Sequence, residues 1–434
     1  VFAGLTVFTA LAGMSVVGIP FLTAMGLGAA GTVVVAVLIA LTLLPALLGF
    51  AGMRVDRGRH IDPATSMGVR WARFVTRRPV PVLVVVIAGL GVIALPALDM
   101  RLGLPDDSTK PDSTTERRAY DLLSKGFGPG FNGPLTVVVD ATGQKDPKNI
   151  AALTQKGLGK LPDVAAVAPP ASNRSGDVSI IGVTPNSSPS STKTKDLVEL
   201  IRTRAQTVRE QYEVDILVTG TTAINIDVSD KLASALPVFL ILIIGLALLL
   251  LLLVFRSILV PIKAVVGFLL TIATSIGIVV WIFQQGHLGG LLGVENTAPI
   301  ISFLPILMIA ILFGLAMDYE VFLVTRMRES FVHSGDALQS TITGFQASAR
   351  VVSAAGLIMI AVFAGFIFGP DAIIKSIGVA LAFGILVDAF LVRMTIVPAV
   401  LALLGKRAWA LPGWLDRLLP NLDIEGENLK RTDD

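Results

Sequence analysis

The chain has 434 residues, of which 53% are hydrophobic and 15% charged, and its net charge at pH 7 is +3. Soluble domains carry about 25% charged residues, so this composition, with a mean hydropathy of +0.76, argues against a soluble enzyme. The small net charge gives no reason to expect nucleic acid as a partner. Because cysteine is absent, disulfides and thiolate metal sites are excluded.

Apolar segments long enough to cross a membrane recur along the chain, since a spanning helix needs about 20 apolar residues. In chain order, the eight segments are 1–19, 25–49, 80–98, 234–255, 258–283, 299–324, 350–369 and 376–404. The first begins at Val1 and has neither the charged region nor the cleavage site of a signal peptide. We therefore interpret it as a helix whose preceding chain is missing.

Lys and Arg are distributed unevenly among the connections between these segments. Residues 50–79 hold seven arginines, whereas 20–24 and 284–298 hold no Lys or Arg, and 370–375 hold only Lys375. Further cations border the connections on the arginine-rich side: Arg256, Lys263, Arg326, Arg328, Arg350, Lys406 and Arg407. The positive-inside rule then predicts both termini in the cytoplasm and residues 99–233 outside.

Residues 99–233 form the one long polar segment. Strand patterns at 135–140, 164–168, 178–184 and 215–220 alternate with helix patterns at 147–160 and 195–212. The order β-α-β-β-α-β is that of a ferredoxin-like unit, so we predict an extracytoplasmic α/β domain attached to about eight helical spans. The glycine-rich stretch 126–134 lacks the Lys-Ser/Thr of a phosphate loop and predicts a flexible loop.

The arginine-rich connection also contains an amphipathic pattern over residues 62–78. Its apolar members lie among arginines at Met67, Val69, Trp71, Phe74 and Val75. A helix of this composition is typical of the membrane interface, and we expect it at the inner membrane face.

Residues 1–49 repeat in residues 353–405. Offset by 352, Ala3-Gly4-Leu5 match Ala355-Gly356-Leu357 and Gly26 matches Gly378; offset by 353, Pro45 matches Pro398. Any two Gly/Ala-rich hairpins look somewhat alike, but glycines and a proline that keep register over 50 positions favour a duplication. If the second copy ends a set of six helices, the first copy is the end of an equivalent set.

Charged residues within apolar spans are costly, so each must face protein or water. Asp318 lies eight residues before Arg326, about 12 Å along a helix, and therefore near the middle of the membrane. A carboxyl at that depth can load and release a proton; alternatively, it only bonds two helices together. Tyr319 follows directly, where its hydroxyl can bond a carboxylate on a neighbouring helix. Glu320 lies on another face and has the weaker claim to a direct role.

Asp388 and Arg393 form a second intramembrane set. Their spacing of five is poor for a direct pair within an α-helix, so we expect each to pair with another helix, Arg393 with Asp318 being one option. The aligned positions of the first copy are apolar. Charge neutralisation and a relay role are equal alternatives for this set, and the chain offers no Ser-His-Asp triad or metal-ligand cluster that would argue for an enzyme.

Three runs of sequence are similar to one known family. They are FGLAMDYEVFLVTRMRES (313–330), GILVDAFLVRMTIVPAVLALLGKRAW (384–409) and PGWLDRLLPNLDIEGE (412–427). Together with GFGPGFNGPL (126–135), they resemble the mycobacterial membrane protein large (MMPL) family of the RND transporter superfamily, and the resemblance covers essentially the whole chain.

This resemblance implies twelve spans in two halves, each with an outer porter domain, and proton-driven export of lipids or other hydrophobic molecules across the bacterial inner membrane. It implies a proton relay of Asp-Tyr pairs on the fourth and tenth spans. Asp318 and Tyr319 match the tenth-span pair, and the fourth-span pair has no counterpart. The chain is then the C-terminal part, without the first four helices and the first porter domain.

The expected organisation follows from these patterns. Residues 1–49 are the last two helices of the first half, 50–79 a cytoplasmic linker, 80–98 a span, 99–233 the porter domain, 234–405 five spans and 406–434 a cytoplasmic tail. The expected partners are the membrane, a lipid or hydrophobic small-molecule substrate and the missing N-terminal half of the same polypeptide. The proton gradient is the energy source, no cofactor is expected, and a homo-oligomer is left open.

Two other functions remain as alternatives. The chain is a non-transporting scaffold that binds lipid or partner proteins, or it is a protein-translocation accessory of the same superfamily. The closing WLDRLLPNLDIEGE motif argues against the accessory, and the coding sequence upstream of residue 1 tests the scaffold.

Overall fold

The computed structural model describes residues 2–52 and 67–418. Its α-helices are α1 (Phe2–Ala12), α2 (Pro20–Ala51), α3 (Met67–Arg77), α4 (Pro79–Ala94), α5 (Thr115–Phe127), α6 (Pro147–Leu158), α7 (Thr192–Tyr212), α8 (Thr221–Phe255), α9 (Leu259–Val279), α10 (Gly289–Leu292), α11 (Leu304–Ser334), α12 (Ala337–Gly365), α13 (Ala372–Leu386), α14 (Val397–Leu404) and α15 (Gly413–Leu418). The strands are β1 (Leu102–Gly103), β2 (Leu135–Asp140), β3 (Val164–Val167), β4 (Ala171–Ser172), β5 (Val178–Pro185), β6 (Asp215–Thr219) and β7 (Ile300–Ile301). Two π-helical segments, Val280–Gln284 and Val387–Ile396, follow α9 and join α13 to α14.

The helical stretches confirm a polytopic membrane protein. Within the described ranges, seven are long and apolar enough to cross a membrane, and an eighth apolar stretch, Gly4–Val17, is shorter. The seven are Pro20–Ala51, Pro79–Asp99, Thr221–Phe255, Leu259–Gln284, Leu304–Ser334, Ala337–Phe368 and Ala372–Trp409. Each corresponds to one of the apolar segments of the sequence.

The helices run past the apolar segments at several ends, and α8 and α12 begin before the apolar segments that start at 234 and 350. A helix ends where its terminal backbone groups find other partners, which hydropathy does not report. Gly335, in the left-handed conformation, ends α11. The Asp336 side chain then accepts hydrogen bonds from the backbone N–H groups of Leu338 and Gln339 and starts α12.

The small sheet has the connectivity predicted from the strand pattern. Its strands lie in the order β3-β5-β2-β6, all neighbours are antiparallel, and β4 pairs with β5. Alternate residues of β2, namely Leu135, Val137 and Val139, are buried and share a core with Leu197 and Ile201 of α7. The ferredoxin-like α/β prediction is therefore confirmed.

The glycine-rich stretch 126–134, predicted to be a flexible loop, contains the end of α5 and a short turn. Residues Pro129–Asn132 form a 3₁₀ turn, and a Cβ on Gly130 would collide with the carbonyl oxygen of Pro185. The glycine is there because the backbone of β5 passes too close for a side chain.

The sheet domain is tied to the spans through the segment that follows α4. β1 and β7 form a parallel pair, Leu102 opposite Ile300. Gln284, at the end of the first π-helical segment, accepts a hydrogen bond from the Arg101 N–H at 2.8 Å and donates one to the Asp99 carbonyl at 2.8 Å. The end of the α9 span thus holds the stem of the domain by its backbone.

α11 lies at the centre of the helical bundle. It packs against α1, α8, α9, α12 and α13, and its side chains belong to one large apolar core that runs through these helices. Three consecutive polar residues in the middle of α11 are therefore surrounded by other spans.

The two copies of the internal repeat make the same helix contacts. Glycines 352 positions apart contact neighbours that are also 352 positions apart. Gly4 lies against Val37, and its equivalent Gly356 lies against Ala389. Gly26 lies against Leu11 and Met14, and its equivalent Gly378 lies against Phe363 and Phe366. The small residues allow the two helices of each hairpin to approach closely. These shared contacts support the interpretation of a duplication.

Some predictions concern residues that lie outside the described ranges. The residues concerned are Arg54, Arg57, Arg59, the start of the amphipathic segment at 62–66, and the part of the tail from 419 onward. α3 covers Met67–Arg77 of the amphipathic segment.

Replacing Gly344 by Ala is expected to destabilise the α11–α12 hairpin. The added Cβ would lie 2.6 Å from both the backbone N and the Cα of Met327, and such overpacking costs about 1–3 kcal/mol. Gly365 of the same helix has a helical backbone and open space around it, so Gly365→Ala serves as the control. Unfolding in detergent measures both; equal stability of the two variants would contradict the close approach.

Candidate functional site

Asp318, Tyr319 and Glu320 occupy consecutive positions of α11, about 100° apart around the helix axis. They therefore face three different neighbours. Asp318 contacts α1 through Thr6, Tyr319 contacts α12 through Met359, and Glu320 contacts α9 and the second π-helical segment.

Asp318 has a hydroxyl as its hydrogen-bond partner. The Thr6 Oγ1 donates to Asp318 Oδ1 at 3.2 Å, and Thr6 is fully buried while Asp318 is half-buried. Among the described residues Asp318 takes part in no ion pair. Thr6 was not predictable as this partner, because a lone threonine among apolar residues gives no indication of which helix it contacts.

The Tyr319 hydroxyl bonds a sulfur atom and not a carboxylate on a neighbouring helix, which was the partner suggested by its position next to Asp318. Its hydroxyl donates to Met359 Sδ at 3.3 Å, and a thioether sulfur is a weak acceptor. The hydroxyl can exchange this partner for a stronger acceptor at small cost.

Glu320 is the centre of a buried charge network, which its position on another face of α11 did not indicate. Its Oε1 accepts from Lys263 Nζ at 2.5 Å and its Oε2 from Arg393 Nη1 at 2.7 Å. The three side chains are 2%, 7% and 3% exposed, respectively. A carboxylate bound by two cations stays charged, because protonation would leave one cation without its partner.

Asp388 and Arg393 form a direct pair, so the prediction that each pairs with another helix is wrong for Asp388. Arg393 donates to both carboxylate oxygens of Asp388, with Nε–Oδ2 at 2.6 Å and Nη2–Oδ1 at 3.3 Å. The Arg393–Asp318 option is also wrong, since the remaining guanidinium contact is with Glu320. Lys263, Glu320, Arg393 and Asp388 thus form a network of two cations and two anions.

The second π-helical segment is the physical reason for the Asp388–Arg393 pair. In a π-helix the repeating hydrogen bond joins residues five apart, so side chains with this spacing lie near the same face. Thr395 shows the same period, its Oγ1 donating to the Phe390 carbonyl at 2.9 Å. The objection to a spacing of five holds only for an α-helix.

The internal repeat accounts for the position of this π-helical segment. Val37 and Ala389 are equivalent at an offset of 352, whereas Pro45 and Pro398 are equivalent at 353. One extra residue therefore lies between Ala389 and Pro398, and the segment Val387–Ile396 accommodates it. The first copy, α2, is an α-helix throughout Pro20–Ala51. The change of offset was the sequence signal that could have revealed the π-helix.

Lys263 was counted among the cations that border a cytoplasmic turn, and its role in the network was missed. It is the fifth residue of α9 and is buried against Glu320. Its place five residues inside an apolar segment was the available signal. Lys375, counted as the one cation of an outer connection, is also buried, and its Nζ donates to the carbonyls of Leu292 and Gly293 at 2.8 Å.

An α/β domain attached to a bundle of apolar spans with buried charges at its centre defines a polytopic membrane protein. The profile of the MMPL family matches residues 1–82 and 111–419. The chain belongs to the MMPL family, as its sequence motifs indicated.

Three relatives resemble the chain over almost its whole length. Membrane protein YdfJ of Bacillus subtilis is 50% identical over 99% of the chain. The mycolic acid-containing lipids exporter MmpL11 of Mycolicibacterium smegmatis is 33% identical over 98%, and the heme uptake protein MmpL11 of Mycobacterium tuberculosis is 35% identical over 98%. The chain covers 59%, 46% and 45% of these three proteins, or about half of their length.

Proposed function

We propose that the chain is part of a proton-motive-force-driven exporter that moves lipids or other hydrophobic molecules across the bacterial inner membrane. The contrast among the carboxylates of Asp318, Glu320 and Asp388 carries this proposal. Glu320 and Asp388 are bound by buried cations, whereas Asp318 accepts a hydrogen bond from the Thr6 hydroxyl. Asp318 can therefore take up and release a proton without breaking an ion pair with any residue that the structure describes.

In this proposal Asp318 and Tyr319 are the proton relay. Protonation of Asp318 weakens its acceptance of the Thr6 hydrogen bond, so α11 and α1 change their contact with each proton. Tyr319 stands beside it with a weakly held hydroxyl that can turn towards another acceptor. The network around Glu320 keeps α11, α9 and the second π-helical segment in place while Asp318 changes charge.

The proposed topology follows the distribution of cations. Both termini, the 50–79 linker and the 406–434 tail are cytoplasmic, and the 99–233 porter domain is outside. Residues 1–49 end the first half, while 80–98 and 234–405 supply the six spans of the second. A homo-oligomer is compatible with this arrangement, and the missing partner is the first half of the same polypeptide, since the relatives are about twice as long.

The name of one relative supports a lipid as cargo, since it is a mycolic acid-containing lipids exporter. Heme is the competing cargo because another relative is named for its uptake. The direction of movement distinguishes lipid export from heme uptake. Export moves the cargo away from the cytoplasmic side, whereas uptake moves it towards the cytoplasmic side.

Reconstitution of the full-length protein in proteoliposomes tests the proposal. With an imposed pH gradient we expect a labelled lipid to move across the membrane, and collapse of the gradient with an uncoupler to stop this movement. Liposomes without the protein are the control. Transport of heme but not lipid would overturn the proposal that lipid is the cargo. If neither molecule is transported in either direction, the result would favour the alternative of a non-transporting scaffold protein.

A further inference from the structure

The amphipathic helix α3 has three distinct faces. Val69, Ala72 and Val75 are buried where α3 packs against α12 and α14. A second face is exposed and basic, and consists of Arg70, Arg73 and Arg77. The third face is exposed and apolar, and consists of Met67, Trp71 and Phe74. The helix therefore packs on the bundle with one face, while the side chains of the other two are largely exposed and can meet the membrane interface.

Trp71 makes one contact that the other members of its face do not make. Its Nε1–H donates a hydrogen bond to the backbone carbonyl of Met394 at 2.9 Å. Met394 lies in the second π-helical segment and directly follows Arg393. An indole N–H on a surface helix thus binds the backbone of a span next to the buried charge network.

The sequence explains why that carbonyl is open to a side-chain donor. Pro398, four residues after Met394, has no N–H and cannot donate the α-helical hydrogen bond to this carbonyl. In the π-helical register the backbone donor would be the N–H of Ala399, five residues on. The Trp71 N–H therefore takes the place of the α-helical donor that the proline removes.

We infer that Trp71 is a positioning residue, which holds the π-helical segment Val387–Ile396 and, through it, Arg393. This inference rests on the proposed function, because it assigns α3 a part in keeping the charge network beside the proton relay. The chain of contacts runs from Trp71 to the Met394 carbonyl, along one residue of backbone to Arg393, and from Arg393 to Asp388 and Glu320.

The hydrogen bond can be removed and replaced by two substitutions in the full-length protein. Trp71→Phe keeps an aromatic ring beside Phe74 but removes the N–H, and Pro398→Ala returns a backbone N–H that can donate to the Met394 carbonyl. Phe74→Leu removes the neighbouring exposed ring, 5.8 Å from that of Trp71, and is the matched control.

Hydrogen exchange of the backbone amides of Val387–Ile396, measured in nanodiscs, gives a readout that does not depend on transport. We expect Trp71→Phe to speed this exchange about fivefold, the effect of one lost hydrogen bond, and Phe74→Leu to leave it unchanged. In the Pro398→Ala background, where a backbone N–H can donate to the Met394 carbonyl, Trp71→Phe should change the exchange rate less than about twofold. Equal exchange in Trp71→Phe and Phe74→Leu, or additive effects with Pro398→Ala, would overturn the inference. If Pro398→Ala does not fold, the comparison of the first two variants decides.

Transport is measured on the same variants, with Asp318→Asn as reference. We expect Trp71→Phe to lower the proton-driven rate about fivefold and to shift its pH profile, with Pro398→Ala again removing the effect. Faster exchange with an unchanged transport rate and pH profile would overturn the positioning role. Retained transport in Asp318→Asn would overturn the proposed function instead, while the exchange measurement would still test the Trp71 contact.

Discussion

The full-length protein with Asp318→Asn is expected to lose proton-driven transport, falling to the rate measured without a pH gradient. Asparagine keeps the size of the side chain and can still accept the Thr6 hydrogen bond, but it cannot bind or release a proton. The loss is expected at every pH, because no protonation state of the amide replaces the carboxyl. Uptake of labelled lipid into proteoliposomes under an imposed gradient measures it.

Two sets of variants separate the proton from the fold. Asp336→Asn changes a carboxylate that caps α12, and asparagine caps helices equally well, so this control should transport normally. Thr6→Ser keeps the hydroxyl that donates to Asp318 and should remain active. Thr6→Val removes this hydroxyl and should shift the pH profile of transport. Proton-driven transport at the wild-type rate in Asp318→Asn would contradict the relay.

Glu320→Gln is expected to cause the largest loss of stability in the buried network. It leaves Lys263 buried without its partner and removes one of the two partners of Arg393. Removing one member of a buried ion pair costs about 3–5 kcal/mol. Lys263→Met should cost less, because Glu320 keeps its contact with Arg393.

The double variant Lys263→Met/Glu320→Gln gives the sharper result. Because it restores a network with one cation and one anion, it should be more stable than Glu320→Gln alone, although it carries one more substitution. Denaturant unfolding in detergent measures all three variants. A double variant less stable than Glu320→Gln would mean that the pair does not act as a charge pair.

The sequence was sufficient for the arrangement of elements, because that arrangement depends on local patterns. The runs of about 20 apolar residues correspond to the helical stretches, and strand alternation located β2, β5 and β6 to within one residue. Helices α8 and α12 start before their apolar segments, because caps and helix propensity rather than hydropathy decide where a helix begins and ends.

The charge network was not predictable from the same patterns. Which cation meets Glu320 depends on how α9, α11 and the second π-helical segment pack, and residues far apart in sequence give no sign of that. Lys263 resembled a boundary residue, and a spacing of five argued against Asp388 with Arg393. Both errors come from assuming regular α-helices with charges only at their ends.

The position of Asp318, in contrast, was inferred from sequence, and its role remains a proposal. What the structure adds is the difference between its hydroxyl partner and the cation partners of Glu320 and Asp388. That difference supports the proposal that Asp318, rather than Glu320 or Asp388, carries the proton.

The most direct test of this assignment is the infrared difference spectrum of the full-length protein between acidic and alkaline pH. The account predicts a carboxyl C=O stretching band that appears on acidification, is absent in Asp318→Asn and persists in Asp336→Asn. A band that remains unchanged in Asp318→Asn would show that another carboxyl carries the proton and would contradict the account.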